Sequence, residues 1–148
     1  MMHTFSLHPQ AVAHVRGGEG TPNLSGEVQF YQGQGTVLVV ANLSGLPHND
    51  SGFFALHIHE GAACSGAQFS ATGSHFNPAV SPHPEHAGDL PPLLSCDGVA
   101  YLTVLTDRFS VRDILGRTVV IHSGHDDFHS QPAGNAGTKI ACGVIHSV

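Results

Sequence analysis

Charge is scarce in this 148-residue chain: 11% of residues are Asp, Glu, Lys or Arg, and five are basic against eleven acidic. A formal net charge of −6 repels polyanions, so neither nucleic acid nor an anionic membrane surface is an expected partner. No apolar run approaches the roughly 18 residues a bilayer-spanning helix needs. Met1 to Gln10 has neither the basic nor the apolar region of a secretory leader. As written, the chain is expected in the cytoplasm, or in the periplasm or outside the cell if a leader has been removed. Cysteine is scarce too: Cys64, Cys96 and Cys142 are too few for a disulfide scaffold and contain no CxxC pair. One bridge plus one spare thiol is the natural reading. With 41% hydrophobic residues and no internal repeat, residues 1–148 are expected to form a single domain.

Helical patterning is also nearly absent, confined to a turn or two at Ser110 to Gly116 (SVRDILG). Short β-rich runs alternate instead with Gly, Pro, Asn and Asp clusters. They lie at about Ala11 to Arg16, Gly26 to Gln32, Thr36 to Leu43, Gly52 to His59, Gly98 to Leu105, Arg117 to His122 and Ile140 to Ile145. This spacing predicts an all-β antiparallel sandwich or barrel. Glu27 to Phe30 alternates with one wet face, whereas the unbroken apolar run Val37 to Ala41 is expected to be more deeply covered. Two stretches do not read as strands, Glu60 to Leu94 and Ser123 to Thr138, and long loops inside a compact domain are usually functional.

What the chain has in excess is histidine, 13 residues with no tag-like run, and histidine is the commonest metal ligand. His57-Ile58-His59 ends the fourth predicted strand. Residues i and i+2 of a strand face the same way, roughly 6.5–7 Å apart, so both rings can reach one ion. Taken alone, the pair also fits two polar residues on a wet face. In HFNPAVSPHPEHAGD, His75, His83, His86 and Asp89 offer three imidazoles and a carboxylate, a closed four-coordinate set that suits structural zinc. A merely solvated His-rich loop has the same composition. His122 closes another predicted strand, and Asp126 follows where a carboxylate could orient a ligating ring.

Together these residues resemble the copper/zinc superoxide dismutases. The matching strings are GFFALHIHE (Gly52 to Glu60), GSHFNP (Gly73 to Pro78), HAGDLP (His86 to Pro91), GRTVVIHSGHDD (Gly116 to Asp127) and GNAGTKIACGVI (Gly134 to Ile145). They occur in family order, and the Cys64 spacing and HAGDLPPL are closest in look to bacterial members. The resemblance implies a Greek-key β-sandwich or barrel of about eight antiparallel strands with two long functional loops. It implies one copper ion on His57, His59, His75 and His122, and one zinc ion on His75, His83, His86 and Asp89, with His75 bridging the two. Asp126 would tie the sites together by hydrogen bonds, and Cys64 would pair with Cys142. Such a bridge closes a loop of about 79 residues, worth roughly 4–5 kcal/mol in the chain-entropy model. Cys96 has no family counterpart and reads as a free thiol in the turn before Asp97-Gly98.

The implied activity is disproportionation of superoxide to dioxygen and hydrogen peroxide by copper alternating between Cu(II) and Cu(I). His75 would switch between ligand and proton donor, so the expected catalytic residues are His75 and Lys139. Lys139 stands where the family usually carries an arginine three residues before the ACGVI cysteine. It keeps the charge without the rigid fork, so a slower enzyme is expected. Ser123 to Thr138 carries no other cation, which weakens electrostatic guidance. Superoxide is the expected substrate and a copper donor a further candidate partner, while monomer and homodimer both stay open. The alternative is a non-enzymatic copper/zinc-binding module on the same fold; a zinc hydrolase is remote, because Glu60 should point away from the His57/His59 face. His3, His8 and His14 fit either an auxiliary copper-loading site or a solvated edge.

Overall fold

The computed structural model describes residues 4–148, and within them the chain forms nine strands, one short 3-10 segment and one turn of helix. The strands are β1 (Ala11–Gly17), β2 (Ser25–Gln32), β3 (Val37–Ser44), β4 (Phe53–Phe54), β5 (Leu56–His59), β6 (Leu93–Leu94), β7 (Ala100–Thr106), β8 (Thr118–His122) and β9 (Lys139–Ser147). All pairings are antiparallel. Seven strands make one sheet in the order β5-β8-β9-β1-β2-β3-β7, and β4 with β6 make a small second sheet. The last strand returns to lie beside the first, the Greek-key relation the sequence implied.

Alternation explains most of the packing. In β1, Ala11, Ala13 and Val15 are fully buried while His14 and Arg16 face solvent. Val28 and Phe30 of β2 and Val37, Val39 and Ala41 of β3 join the same core, which β5, β8 and β9 complete with Leu56, Ile58, Val119, Ile121 and Ile145. The inner rows therefore line one continuous apolar interior under a curled half-barrel sheet.

Three expectations need correction. Val37 to Ala41 is not covered throughout: Leu38 and Val40 are half-buried on the outer face, because β3 keeps a strict two-residue alternation between core and surface. The run Gly52 to His59 is two strands, not one. Ala55 breaks it by giving its N–H to the Gly124 carbonyl (2.8 Å) and its own carbonyl to the His122 N–H (3.0 Å), so the chain crosses from the small sheet to the large one there. The first long loop also holds regular structure, the 3-10 segment Ala67–Thr72 and the two-residue β6. The helix α1 (Val111–Ile114) falls inside the predicted stretch and opens with a capping box, in which Ser110 N and Oγ both donate to the Asp113 carboxylate.

A disulfide joins Cys64 to Cys142, with the Cα atoms 5.7 Å apart, and pins the first loop to β9. Cys96 is free and exposed. It pairs with Val99 across a tight turn whose central residues, Asp97 (φ 51°) and Gly98 (φ 80°), both adopt the left-handed conformation that Gly, Asn and Asp tolerate best. His3 lies outside the described residues. His8 and His14 are exposed, His14 sits 3.2 Å from the Glu27 carboxylate, and neither joins a metal-sized group among the described residues.

Candidate metal centre

Seven of the residues singled out in the sequence converge beside β5 and β8. His57, His59, His75 and His122 bring one nitrogen each to within 4.8 Å of one another, and His75, His83, His86 and Asp89 form a second such group. His75 is the member common to both. All are buried, although they are drawn from a stretch that runs from His57 to His122. Strand β5 supplies His57 and His59 with rings 6.4 Å apart, and β8, its hydrogen-bonded neighbour, supplies His122. A bridge between His59 and His75 brings the first long loop back against the strand, and one between His57 and Asp89 does so again further on.

The unused ring nitrogens reveal the tautomers. His59 Nδ1 donates to the Gly73 carbonyl (2.9 Å) and His122 Nδ1 to that of Gly137 (3.3 Å), which leaves both Nε2 atoms as lone pairs facing each other at 3.2 Å. His57 Nε2 donates to Asp126 Oδ2 and His83 Nε2 to Asp126 Oδ1, both at 2.8 Å, leaving each Nδ1 unprotonated. Those two Nδ1 atoms, together with His75 Nε2, are buried without a hydrogen-bond partner; His83 Nδ1 lies 3.0 Å from Asp89 Oδ2 but without hydrogen-bond geometry. Around the second group His75 Nδ1 sits 3.1 Å from His86 Nδ1 and 2.7 Å from Asp89 Oδ1. Buried lone pairs pointed at one another without partners are costly, and a cation between them removes the cost. The donor sets fit two metal ions: four imidazoles suit copper, and three imidazoles with a carboxylate suit zinc.

Electrostatics prepares the ligands. Burial pushes the His59 imidazole down to about 2 and that of His122 down to about 3, and lowers His57 and His86 as well. All four are therefore neutral near pH 7, the form that binds metal. Burial would raise the Asp89 and Asp126 carboxyls, but hydrogen bonds from His75 to Asp89, and from His57 and His83 to Asp126, outweigh it and hold both below the usual range.

Gly134 makes the Asp126 bridge possible. Its φ is 70°, and a Cβ there would collide with Asp126 Oδ1 and come within 2.7 Å of His83 Nε2.

Lys139 is placed by a bulge. Ile121 pairs with Ala141, but the next residue, His122, pairs with Lys139, so Ile140 is extra and the start of β9 is re-aimed toward the metal cluster. A cavity of about 490 Å³ opens beside it, lined by His59, His75, His86, His122, Pro132 and Lys139 among others. Lys139 Nζ donates to Thr72 Oγ1 (2.8 Å) and to the Gly73 carbonyl (3.0 Å), and burial lowers its pKa.

Comparison with known proteins settles the family. The sequence profile described as copper/zinc superoxide dismutase matches residues 24–145. The chain belongs to the copper/zinc superoxide dismutase family. It is 36% identical to copper-zinc superoxide dismutase 2 of Aquifex aeolicus over 96% of this chain and 90% of that one. It is 34% identical to the copper-zinc superoxide dismutase of Deinococcus radiodurans over 86% of this chain and 80% of that one. For the Caulobacter vibrioides copper-zinc superoxide dismutase the figures are 31%, 91% and 84%. As a copper/zinc superoxide dismutase the chain is an oxidoreductase acting on superoxide, with copper and zinc as cofactors, rather than a non-enzymatic module. The residues that sequence reasoning missed are Thr72, Gly73 and Gly137, whose oxygens hold Lys139 and the two ring N–H groups, and Gly134. Nothing in their local sequence signals those contacts, which join segments far apart in the chain.

Proposed function

We propose that His57, His59, His75 and His122 hold the copper ion, that His75, His83, His86 and Asp89 hold the zinc ion, and that residues 1–148 act as one domain. The observation that carries this division is His75. Its Nε2 is one of the orphaned nitrogens on the His57 side, while its Nδ1 faces His86 and Asp89. One ring thus addresses two donor sets. Copper, when bound, supplies a one-electron couple compatible with imidazole in both oxidation states, whereas zinc has no redox role.

The overall reaction takes two superoxide ions and two protons to dioxygen and hydrogen peroxide. In this reading Lys139 draws the anion to the cavity, where its charge offsets the repulsion of a chain with net charge −6. The cavity admits substrate beside His59, His75 and His122. His75 would be the proton donor, holding a proton at Nε2 and passing it to the peroxide product. Its Nδ1, held among His83, His86 and Asp89, keeps the ring aimed during the exchange. Asp126 locks the tautomers of His57 and His83 at once, so the two donor sets keep a fixed relation.

The test is metal content by mass spectrometry after loading, run together with a superoxide-consumption assay. The expected result is about one copper and one zinc per chain, following the two donor sets, with rapid turnover. Zinc without copper, or both metals without turnover, would overturn the assignment.

A further inference from the structure

A lysine at this position raises a difficulty. Its ammonium rides on a flexible four-carbon stem and, unlike a guanidinium, brings no rigid fork to fix its direction. Something else must hold it, and the structure assigns that task to Thr72: we propose that Thr72 is the positioning residue for Lys139, fixing the ammonium at the cavity mouth so that one N–H stays available to an incoming anion. This rests on the reading of Lys139 as the anion receiver.

The Thr72 hydroxyl can play one role only. The side chain is completely buried, and its Oγ1 donates to the Phe69 carbonyl at 2.8 Å, which spends its single proton. What remains is lone-pair density, and Lys139 Nζ donates into it at 2.8 Å. The second ammonium N–H goes to the Gly73 carbonyl at 3.0 Å. An ammonium has three donors arranged tetrahedrally, so with two committed to adjacent residues the third is directed away from both. Among the described residues Lys139 makes no ion pair, so its charge is not cancelled by a neighbour.

The anchor is itself anchored. The Thr72 carbonyl accepts the Gly61 N–H (2.8 Å), the 3-10 segment ends at Thr72, and the Cys64–Cys142 bridge ties the same loop to β9 three residues beyond Lys139. The Gly73 carbonyl also accepts from His59 Nδ1. The ammonium is therefore registered against a ring of the proposed copper set by one shared oxygen.

Three variants of the copper- and zinc-loaded protein test this: Thr72→Val, which keeps the shape and removes the hydroxyl, Thr72→Ser, which restores it, and Lys139→Met. Azide serves as the anion probe, followed by optical titration of the oxidised protein. In the reduced, diamagnetic protein the Lys139 ammonium is followed by ¹⁵N–¹H NMR. Thr72→Val is expected to weaken azide binding roughly three- to tenfold and to lose the ammonium signal to solvent exchange, with metal content unchanged, while Thr72→Ser stays within about twofold of the parent. Lys139→Met should weaken azide at least as much as Thr72→Val. Parental azide affinity and a retained ammonium signal in Thr72→Val, alongside a weakened Lys139→Met, would overturn the role of Thr72 alone. Parental affinity in Lys139→Met would overturn the anion-receiver reading and this proposal with it. Thr72→Ala, judged by the same two outcomes, replaces the valine variant if that one fails to take up metal.

Discussion

The two halves of the metal centre are built by different means. On the proposed copper side, His57, His59 and His122 stand on adjacent hydrogen-bonded strands, and two of their rings are fixed by main-chain carbonyls. On the proposed zinc side, His75, His83, His86 and Asp89 come from a loop and lean on side chains. Asp89 accepts the His86 N–H, Gln131 and His83 exchange hydrogen bonds through the His83 main chain, and Arg108 reaches the Pro84 and His86 carbonyls. Strand ligands are positioned by folding itself, whereas loop ligands depend on a network that the metal helps to complete. The copper half should therefore survive injury better than the zinc half.

His75 is where the comparison breaks first. His75→Ala should abolish turnover and lower the content of both metals, read by mass spectrometry and superoxide consumption; native stoichiometry would dismiss the bridge. Next in size is Asp126→Ala, expected to weaken zinc roughly 10–100-fold in competition with a chelator, with a smaller loss for copper because β5 still holds His57. Equal losses would erase the distinction between the halves. Arg108→Ala touches the loop half only, and zinc release should quicken roughly threefold while copper retention is unchanged.

The smallest effect concerns pH. The Ser130 hydroxyl, followed by the His129 and Ser130 N–H groups, holds the Asp127 carboxyl down to about 2. A carboxyl lowered on folding stabilises the folded state above its unfolded pKa, and that stability is lost as pH falls from about 4 through the folded value. Asp127→Asn should flatten the dependence of the metal-free protein's unfolding midpoint across that window, and an unchanged slope would show that the contacts carry no stability.

How much of this was legible depends on distance along the chain. His57 and His59 were readable because a strand's period of two is local, and so was the alternation of β2. The loop ligands were readable only as motif strings, since a loop has no period to test. Leu38 and Val40 misled because an apolar residue does not announce which face of a sheet it occupies. The break at Ala55 was hidden because it depends on Gly124 and His122, and Thr72 was hidden because the residue it holds lies 67 positions away. The two residues of β6 are too few to form a pattern at all.

The extra residue in β9 has a consequence for how the chain can change. Side chains along a strand alternate in parity, so a one-residue slip moves a side chain to the opposite face. The charge at the cavity mouth is thus set by a count as well as by an identity. Deleting Ile140 would even the ladder beside β8 and keep the lysine opposite His122, whereas closing the bulge with Ile140 retained would set Ile140 opposite His122 and turn the lysine over. In such a molecule a change of register is a heavier change than most substitutions, and aligned residues are comparable only when the parity between them agrees.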